Sequence, residues 1–158
     1  MNSKIGNVTT YLASFILLIM GVVYLFKNSF MPYHSEAVML EWSEVDQNFQ
    51  ALILALMRAV AGGFVTIALA IVFLQKKFSS TKISWLPALI LFMGLTISFT
   101  SIYANVLVRL NTEGKPPTAL AFLGVGLVIA GYIFNLKSLK EVSNSVDNKT
   151  ENAVENLA

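Results

Sequence analysis

The amino-acid sequence predicts an all-α integral membrane protein, a four-helix up-down bundle with both termini cytoplasmic and a short disordered C-terminal tail. Of the 158 residues, 56% are hydrophobic and 13% are charged, against a charged share of about 25% in soluble domains. The hydrophobic residues fall into four long blocks, each close to the length of about 20 residues that a helix needs to cross a hydrocarbon core. A soluble fold is excluded, because the charged residues are too few to surround one core.

The first block, residues 8–26, holds no charged residue. A cleaved signal peptide is the alternative interpretation, but its apolar stretch is usually about 7–15 residues long and is followed by small residues at the cleavage site. Tyr24, Leu25 and Phe26 stand at the corresponding positions here. The block therefore predicts an uncleaved first span.

The second block, residues 49–74, is interrupted only by Arg58 and ends before a glutamine and two lysines. The tetrapeptide at residues 43–46 (SEVD) fits a capping box, in which the side chains of the first and last residues bond to each other's backbone N–H groups. This pattern predicts that the second helix begins before the apolar block does.

The third block, residues 83–107, opens with Trp85 and Pro87, an aromatic side chain typical of the membrane interface and a proline tolerated in a first helical turn. The fourth block, residues 118–134, follows two prolines and is short, but it remains within the spanning range. The four blocks together predict a transmembrane bundle over residues 1–135.

The connections predict how the spans are arranged. Residues 28–42 form the longest loop, and the other loops are short, which favours antiparallel neighbours. Residues 136–158 form a polar cytoplasmic tail without aromatic residues, a composition that indicates disorder or a frayed helix.

Lysine and arginine residues near the span ends predict the orientation. One side of the membrane collects six of them, namely Lys4, Lys76, Lys77, Lys82, Lys137 and Lys140. The other side collects three, namely Lys27, Arg109 and Lys115. We therefore expect both termini on the cytoplasmic side of a bacterial inner (plasma) membrane and residues 28–46 on the outer side.

Arg58 is the one charged residue inside a block, and an ionisable residue within a membrane is a functional candidate. Counted back from the end of its block, it lies about 5 Å of helix rise below the outer boundary. Its side chain leans toward that boundary, so one interpretation is snorkelling or pairing with Glu41, Glu44 or Asp46. The other is binding of an anionic ligand or a lipid head group.

Polar residues are concentrated in the outer half of the third block. At 100° per residue they form two opposite stripes, Thr96, Thr100 and Tyr103 on one face and Ser98, Ser101 and Asn105 on the other. The stripes can bond to neighbouring helices or to their own backbone, or they can border a polar pocket that is open to the outside. The candidate ligand-binding residues of that pocket are Arg58, Tyr103, Asn105, His34 and Glu36.

Small residues recur at four-residue spacing along the second block, at Ala51, Ala55, Ala59 and Gly63. Such a face lets another helix approach closely. Helix packing within the bundle or between two copies explains the pattern. The expected partners are therefore the lipid bilayer and either a second copy of the chain or another membrane protein.

The composition excludes several kinds of chemistry. The chain has no cysteine and one histidine, His34, which excludes disulfides, thiolate metal sites, cysteine nucleophiles and haem held by two histidines. All nine acidic residues lie outside the blocks, which argues against a proton-coupled antiporter with a membrane-buried carboxylate. We expect no catalytic residue, no metal site, no cofactor and no nucleic-acid partner.

The loop at residues 30–34 (FMPYH) and the second-block segment at residues 56–63 (LMRAVAGG) resemble patterns in small uncharacterised four-helix bacterial membrane proteins. The arginine followed by two glycines is also loosely similar to DoxX-like proteins, some of which are membrane subunits of quinone-linked oxidoreductases. The resemblance implies a quinone-linked role only through the shared architecture.

Three functional classes remain open from the sequence. The first is a non-enzymatic membrane protein that assembles with itself or with a partner complex through the small-residue face of the second span. The second is an outward-facing binding or transport module for a small anionic or lipid ligand around Arg58. The third is a membrane subunit of a quinone-linked oxidoreductase.

Overall fold

The computed structural model describes the backbone of residues 1–155 and the side chains of residues 1–145, and it confirms the predicted all-α fold. Four of the helices in this part of the chain are long and apolar enough to cross a membrane, as expected of a membrane protein. The helices are α1 (Asn2–Phe26), α2 (Pro32–Val38), α3 (Gln47–Thr81), α4 (Leu86–Asn111) and α5 (Thr118–Glu155), of which α2 is the short one.

The four long helices form a ring in chain order. α1 packs against α3 and α5, and α4 packs against α5 and, less extensively, against α3. Asn7 of α1 meets Gln75 of α3, whereas Ser14, two turns further along α1, meets Ala68 of α3. Because the residue numbers run in opposite directions across the contact, neighbouring helices are antiparallel, as in an up-down bundle.

The bundle has two different ends. We call one the tail end, where the chain begins and where α3 turns into α4. The opposite end is the cap end, where residues 27–46, called the cap, join α1 to α3. The cap contains α2 and a 3₁₀ turn at Trp42–Glu44, where the sequence predicted only a loop. Phe30 anchors it: this side chain is 6% exposed, and its ring centre lies 4.7 Å from that of Trp42.

Helix α3 begins before Phe49, as expected, but the predicted capping box does not start it. The N-cap is Asp46, whose carboxylate accepts a hydrogen bond from the backbone N–H of Asn48 at 2.9 Å. The Glu44 carboxylate accepts the backbone N–H of Glu41 at 2.8 Å, so Glu44 closes the 3₁₀ turn instead of contributing to the start of α3. The prediction that residue 43 caps α3 is therefore wrong.

Two long helices continue beyond the apolar blocks. α3 runs past residue 74 to Thr81, and Lys82 ends it in the left-handed conformation with φ 53°. α5 runs past residue 134 to Glu155. Of the two alternatives for residues 136–158, disorder or a frayed helix, the structure has a helix in the described part. Residues 156–158 lie outside it.

Polar side chains that follow the apolar blocks join the helices at the tail end. Gln75 of α3 and Asn135 of α5 are 0% and 1% exposed, and their amides exchange hydrogen bonds of 2.9 and 3.2 Å. Gln75 Nε2 also donates to Asn7 Oδ1 at 2.7 Å. Lys82 Nζ donates to Ser3 at 3.0 Å and to Ser138 at 3.1 Å. These contacts close the tail end of the bundle.

Candidate functional site

A cavity of about 490 Å³ lies between the four long helices in the half of the bundle nearer the cap. Its volume falls within the range of about 300–1,000 Å³ that is typical of small-molecule sites. Side chains of all four long helices border it, and Tyr33 and His34 of α2 border it from the cap. Toward the tail end it reaches Ile71 and Val128, two buried apolar side chains.

Close helix contacts hold the walls of the cavity together. A Cβ atom on Gly21 of α1 would lie 2.8 Å from Val65 of α3, and one on Gly94 of α4 would lie 2.7 Å from Val128 of α5. Between these contacts, the helices present small residues to the interior. Those that border the cavity include Gly63, Ala104, Ala121 and Gly124, and they leave the space that larger side chains would fill.

Weaker packing and exposed lining residues indicate a lateral opening of the cavity between α3 and α4. These two helices pack less extensively than the other neighbours, and the residues that border the cavity on their facing sides remain accessible. Val60 is 47% exposed, and Thr100 is exposed. Among the described residues, no atom of a neighbouring helix lies within 4 Å of the position that a Cβ on Gly63 would occupy. In a membrane, this opening faces the lipid chains.

The polar groups of the cavity come from α4 and from the cap end. Ser98, Ser101 and Asn105 border it, so this stripe of α4 faces the interior. The Ser101 hydroxyl donates to the Ile97 carbonyl at 2.8 Å. Within residues 1–145, neither the Ser98 hydroxyl nor the Asn105 amide makes a hydrogen bond to another group. Their hydrogen-bonding groups therefore remain free for a ligand.

The opposite stripe of α4 has a different environment. Thr96 and Thr100 donate to the carbonyl groups of Phe92 and Thr96, each at 2.8 Å, so their hydroxyls are satisfied within the helix. Tyr103 is 65% exposed and is directed away from the cavity. Thr100 alone of this stripe borders the cavity, at its opening.

His34 and Tyr33 close the cavity in their uncharged forms. The backbone N–H of Met31 donates to His34 Nδ1 at 3.4 Å, so the ring proton is on Nε2. Burial lowers the pKa of His34, which favours the neutral imidazole. Burial also raises the pKa of Tyr33, and its hydroxyl is hydrogen-bonded to that of Tyr24. The cap thus presents neutral donors and acceptors.

The structure brings two of the five candidate ligand-binding residues to the cavity, His34 and Asn105. Glu36 accepts the backbone N–H of Lys115 at 3.0 Å, which fastens the cap to the connection between α4 and α5. Arg58 and Tyr103 also lie outside the lining.

The Arg58 guanidinium lies toward the cap end of α3. It donates to the Leu54 carbonyl, one turn earlier in the helix, at 3.1 Å, and to Asn28 Oδ1 at 3.3 Å. Its partners are thus a backbone carbonyl and an amide rather than the carboxylate of Glu41, Glu44 or Asp46. This direction is the one expected of a snorkelling arginine.

The small-residue face of α3 is not covered by another helix in the described part of the chain. Ala51, Ala55 and Ala59 are exposed, and Gly63 lies at the lateral opening. α3 instead packs into the bundle through a different face that includes Met57, Ala61 and Ala68. Assembly of the exposed face with a second copy stays a prediction.

Sequence reasoning missed the two tyrosines of the site. Tyr24 falls at the end of the first block, and Tyr33 lies nine residues further on in an aromatic-rich segment. Their positions are typical of interfacial aromatics, so only the folding of the cap over the bundle identifies them as partners.

The described residues contain no group of three or more histidine, cysteine, aspartate or glutamate side chains that could hold a metal ion. Comparison of the chain with protein-family models, with curated proteins and with solved structures finds no match.

Proposed function

We propose that this protein is an integral membrane binding protein that holds an amphipathic, lipid-like ligand in the cavity between its four long helices. The observation that carries the proposal is the combination of apolar walls with a few unbonded polar groups, which α4 and the cap supply. Sites for small molecules have this character, since apolar walls provide affinity and a few polar groups orient the ligand. The lateral opening supports uptake from the bilayer, because a lipid-like molecule then reaches the cavity without crossing water.

The proposal retains the binding module among the functions considered from the sequence, but it moves the site from Arg58 to His34 and Asn105. Binding is favoured over transport by the tail end, where Gln75 and Asn135 are buried and bonded to each other. A transport path would need to separate these amides. Since each amide is buried and would then lose its partner, the separation is costly.

Obstructing the lateral opening tests the proposal. We expect Gly63→Phe and Ala104→Phe, which place a ring on opposite sides of the opening, to lower the amount of lipid that co-purifies with the protein by about tenfold, the loss expected for roughly 1.4 kcal/mol. The bound lipid is measured by native mass spectrometry after extraction in a mild detergent.

Gly62→Phe is the matched control. In the described part of the chain, no atom of a neighbouring helix lies within 4 Å of a Cβ at Gly62 or at Gly63, but only Gly63 borders the cavity. The control protein is expected to retain lipid like the parent. Equal retention by all variants, or a parent that retains no lipid, would contradict the proposal.

We further propose that the cap lies on the outer side of a bacterial inner membrane and that both termini are cytoplasmic. The six-to-three distribution of basic residues supports this orientation. Single cysteines at the exposed positions Ser43 and Ser80 test this orientation, because the parent chain has no cysteine. An impermeant thiol reagent added to intact cells is expected to label Ser43→Cys and not Ser80→Cys. Labelling of Ser80→Cys alone would reverse the orientation.

A further inference from the structure

The cavity lining contains no lysine, arginine, aspartate or glutamate from the described part of the chain. The two charged candidates from the sequence have other partners, since Arg58 bonds to Leu54 and Asn28, and Glu36 bonds to the backbone of Lys115. A charged ligand head would therefore lose water without gaining an opposite charge, and burial of an unpaired charge is strongly unfavourable.

Neutral hydrogen-bonding groups border the same cavity, with Asn105 and His34 toward the cap and Ser98 two turns deeper along α4. The Asn105 amide offers two N–H donors and one acceptor, and the Ser98 hydroxyl offers one donor. His34 adds its Nε2–H, because its Nδ1 is already occupied by the backbone of Met31. Asn105 and His34, which can each donate, match oxygen acceptors on a ligand head, such as ester, ketone or hydroxyl groups.

The apolar part of the cavity continues from these groups toward Ile71 and Val128, and the lateral opening lies beside it between Val60 and Thr100. When the ligand head lies at Asn105 and His34, its hydrocarbon chain therefore lies among apolar side chains or in the bilayer. This is the polarity of a lipid in the leaflet on the cap side, with the head near the surface and the chain directed inward.

We infer that the ligand is a neutral amphipath, with an uncharged head that carries carbonyl or hydroxyl oxygens, and that this head is held between Asn105 and His34. The inference rests on the proposed function and narrows it, since it rejects the anionic ligand that Arg58 suggested. Asn105 and His34 determine the specificity for the ligand head, and the apolar walls contribute affinity for any hydrocarbon chain.

Two probes with identical acyl chains isolate the contribution of the head. Dioleoylglycerol is neutral, and dioleoylphosphatidic acid adds one phosphate. The delipidated protein is titrated with each in detergent, and binding is measured by native mass spectrometry. We expect dioleoylglycerol to bind at least about tenfold more tightly, a modest factor for a charge that finds no partner. A prenylated quinone, as a third probe, distinguishes a quinone head from an ester head within the neutral class.

Asn105→Leu keeps the approximate side-chain volume and removes the amide. It is expected to weaken dioleoylglycerol binding by about tenfold, the upper range for one neutral hydrogen bond. Thr96→Val is the control, because Thr96 is exposed on the opposite face of α4 and donates to its own helix. Thermal unfolding of each variant identifies a loss of binding that arises from misfolding. His34→Phe removes the other group proposed to hold the head, and it is also expected to weaken dioleoylglycerol binding.

The outcomes separate the inference from the proposed function. Phosphatidic acid that binds as tightly as dioleoylglycerol, or unchanged binding in both Asn105→Leu and His34→Phe, overturns the neutral-head inference and leaves the binding function in place. If no probe binds to the delipidated protein and the parent retains no lipid, both are overturned.

Discussion

Gly21→Leu is expected to lower the unfolding temperature of the protein in detergent by several degrees. A Cβ at this position would lie 2.8 Å from Val65 Cγ2 and 3.1 Å from the Val65 backbone nitrogen. The backbone atom cannot move without displacing α3 from α1. Overpacking of this kind costs about 1–3 kcal/mol, and in a chain of this size each kcal/mol corresponds to a shift of about 2–4 °C. Thermal unfolding of parent and variant in the same detergent measures the shift.

Gly62→Leu is the control for this prediction. Gly62 also lies inside a long helix, but within the described residues no atom of a neighbouring helix is within 4 Å of its Cβ position. Leucine is a better helix former than glycine by somewhat less than about 1 kcal/mol, so the control is expected to be as stable as the parent or slightly more stable. An unfolding temperature for Gly21→Leu equal to that of the parent would mean that α1 and α3 do not pack at this point.

The four long helices were predictable because the thickness of a bilayer limits the length of an apolar block. Hydropathy does not determine where the helices end. Gln75 and Asn135 were both assigned to the ends of spans or beyond them, yet each is buried within a helix. A polar residue next to an apolar block can be buried when a hydrogen-bonding partner on another helix satisfies it. Gln75 and Asn135 are such partners, and they are 60 residues apart in the sequence. Local composition does not predict a pairing between residues so far apart in the sequence.

Only part of the candidate site was predictable from the sequence. Helical periodicity separated Asn105 from Tyr103 as members of opposite stripes, but periodicity alone does not say which stripe faces the interior. That choice depends on the positions of α5 and α3 around α4. Arg58 is the single charge within an apolar block and was therefore a candidate. Its long side chain can, however, reach polar groups at the helix end at little cost. The ligand-facing groups are the less conspicuous neutral ones.

The buried amide pair at the tail end provides the second large expected effect. In Asn135→Leu, the Gln75 amide loses both its donor and one of its acceptors, and in Gln75→Leu the Asn135 amide loses its partner in the same way. Leaving a buried polar group unsatisfied costs about 1–3 kcal/mol. Each single variant is therefore expected to be destabilised by that amount, measured by thermal or chemical unfolding in detergent.

The double variant Gln75→Leu/Asn135→Leu is expected to lose less stability than the sum of the two single losses, by at least about 0.5 kcal/mol. Both amides are then absent, so neither remains unsatisfied, and leucine supplies apolar contact in their place. Asn7 keeps a donor in this variant, since the Ser79 hydroxyl bonds to its side-chain oxygen at 2.7 Å.

Asn111→Leu is the control for the amide pair, because Asn111 is exposed and bonds to the Leu107 carbonyl of its own helix. Its stability is expected to remain within about 0.5 kcal/mol of the parent, as for surface substitutions in general. Strictly additive losses from the two buried substitutions would show that each amide is satisfied without the other. The tail end would then be closed by apolar packing and by Lys82, and the argument against a transport path through it would lose its support.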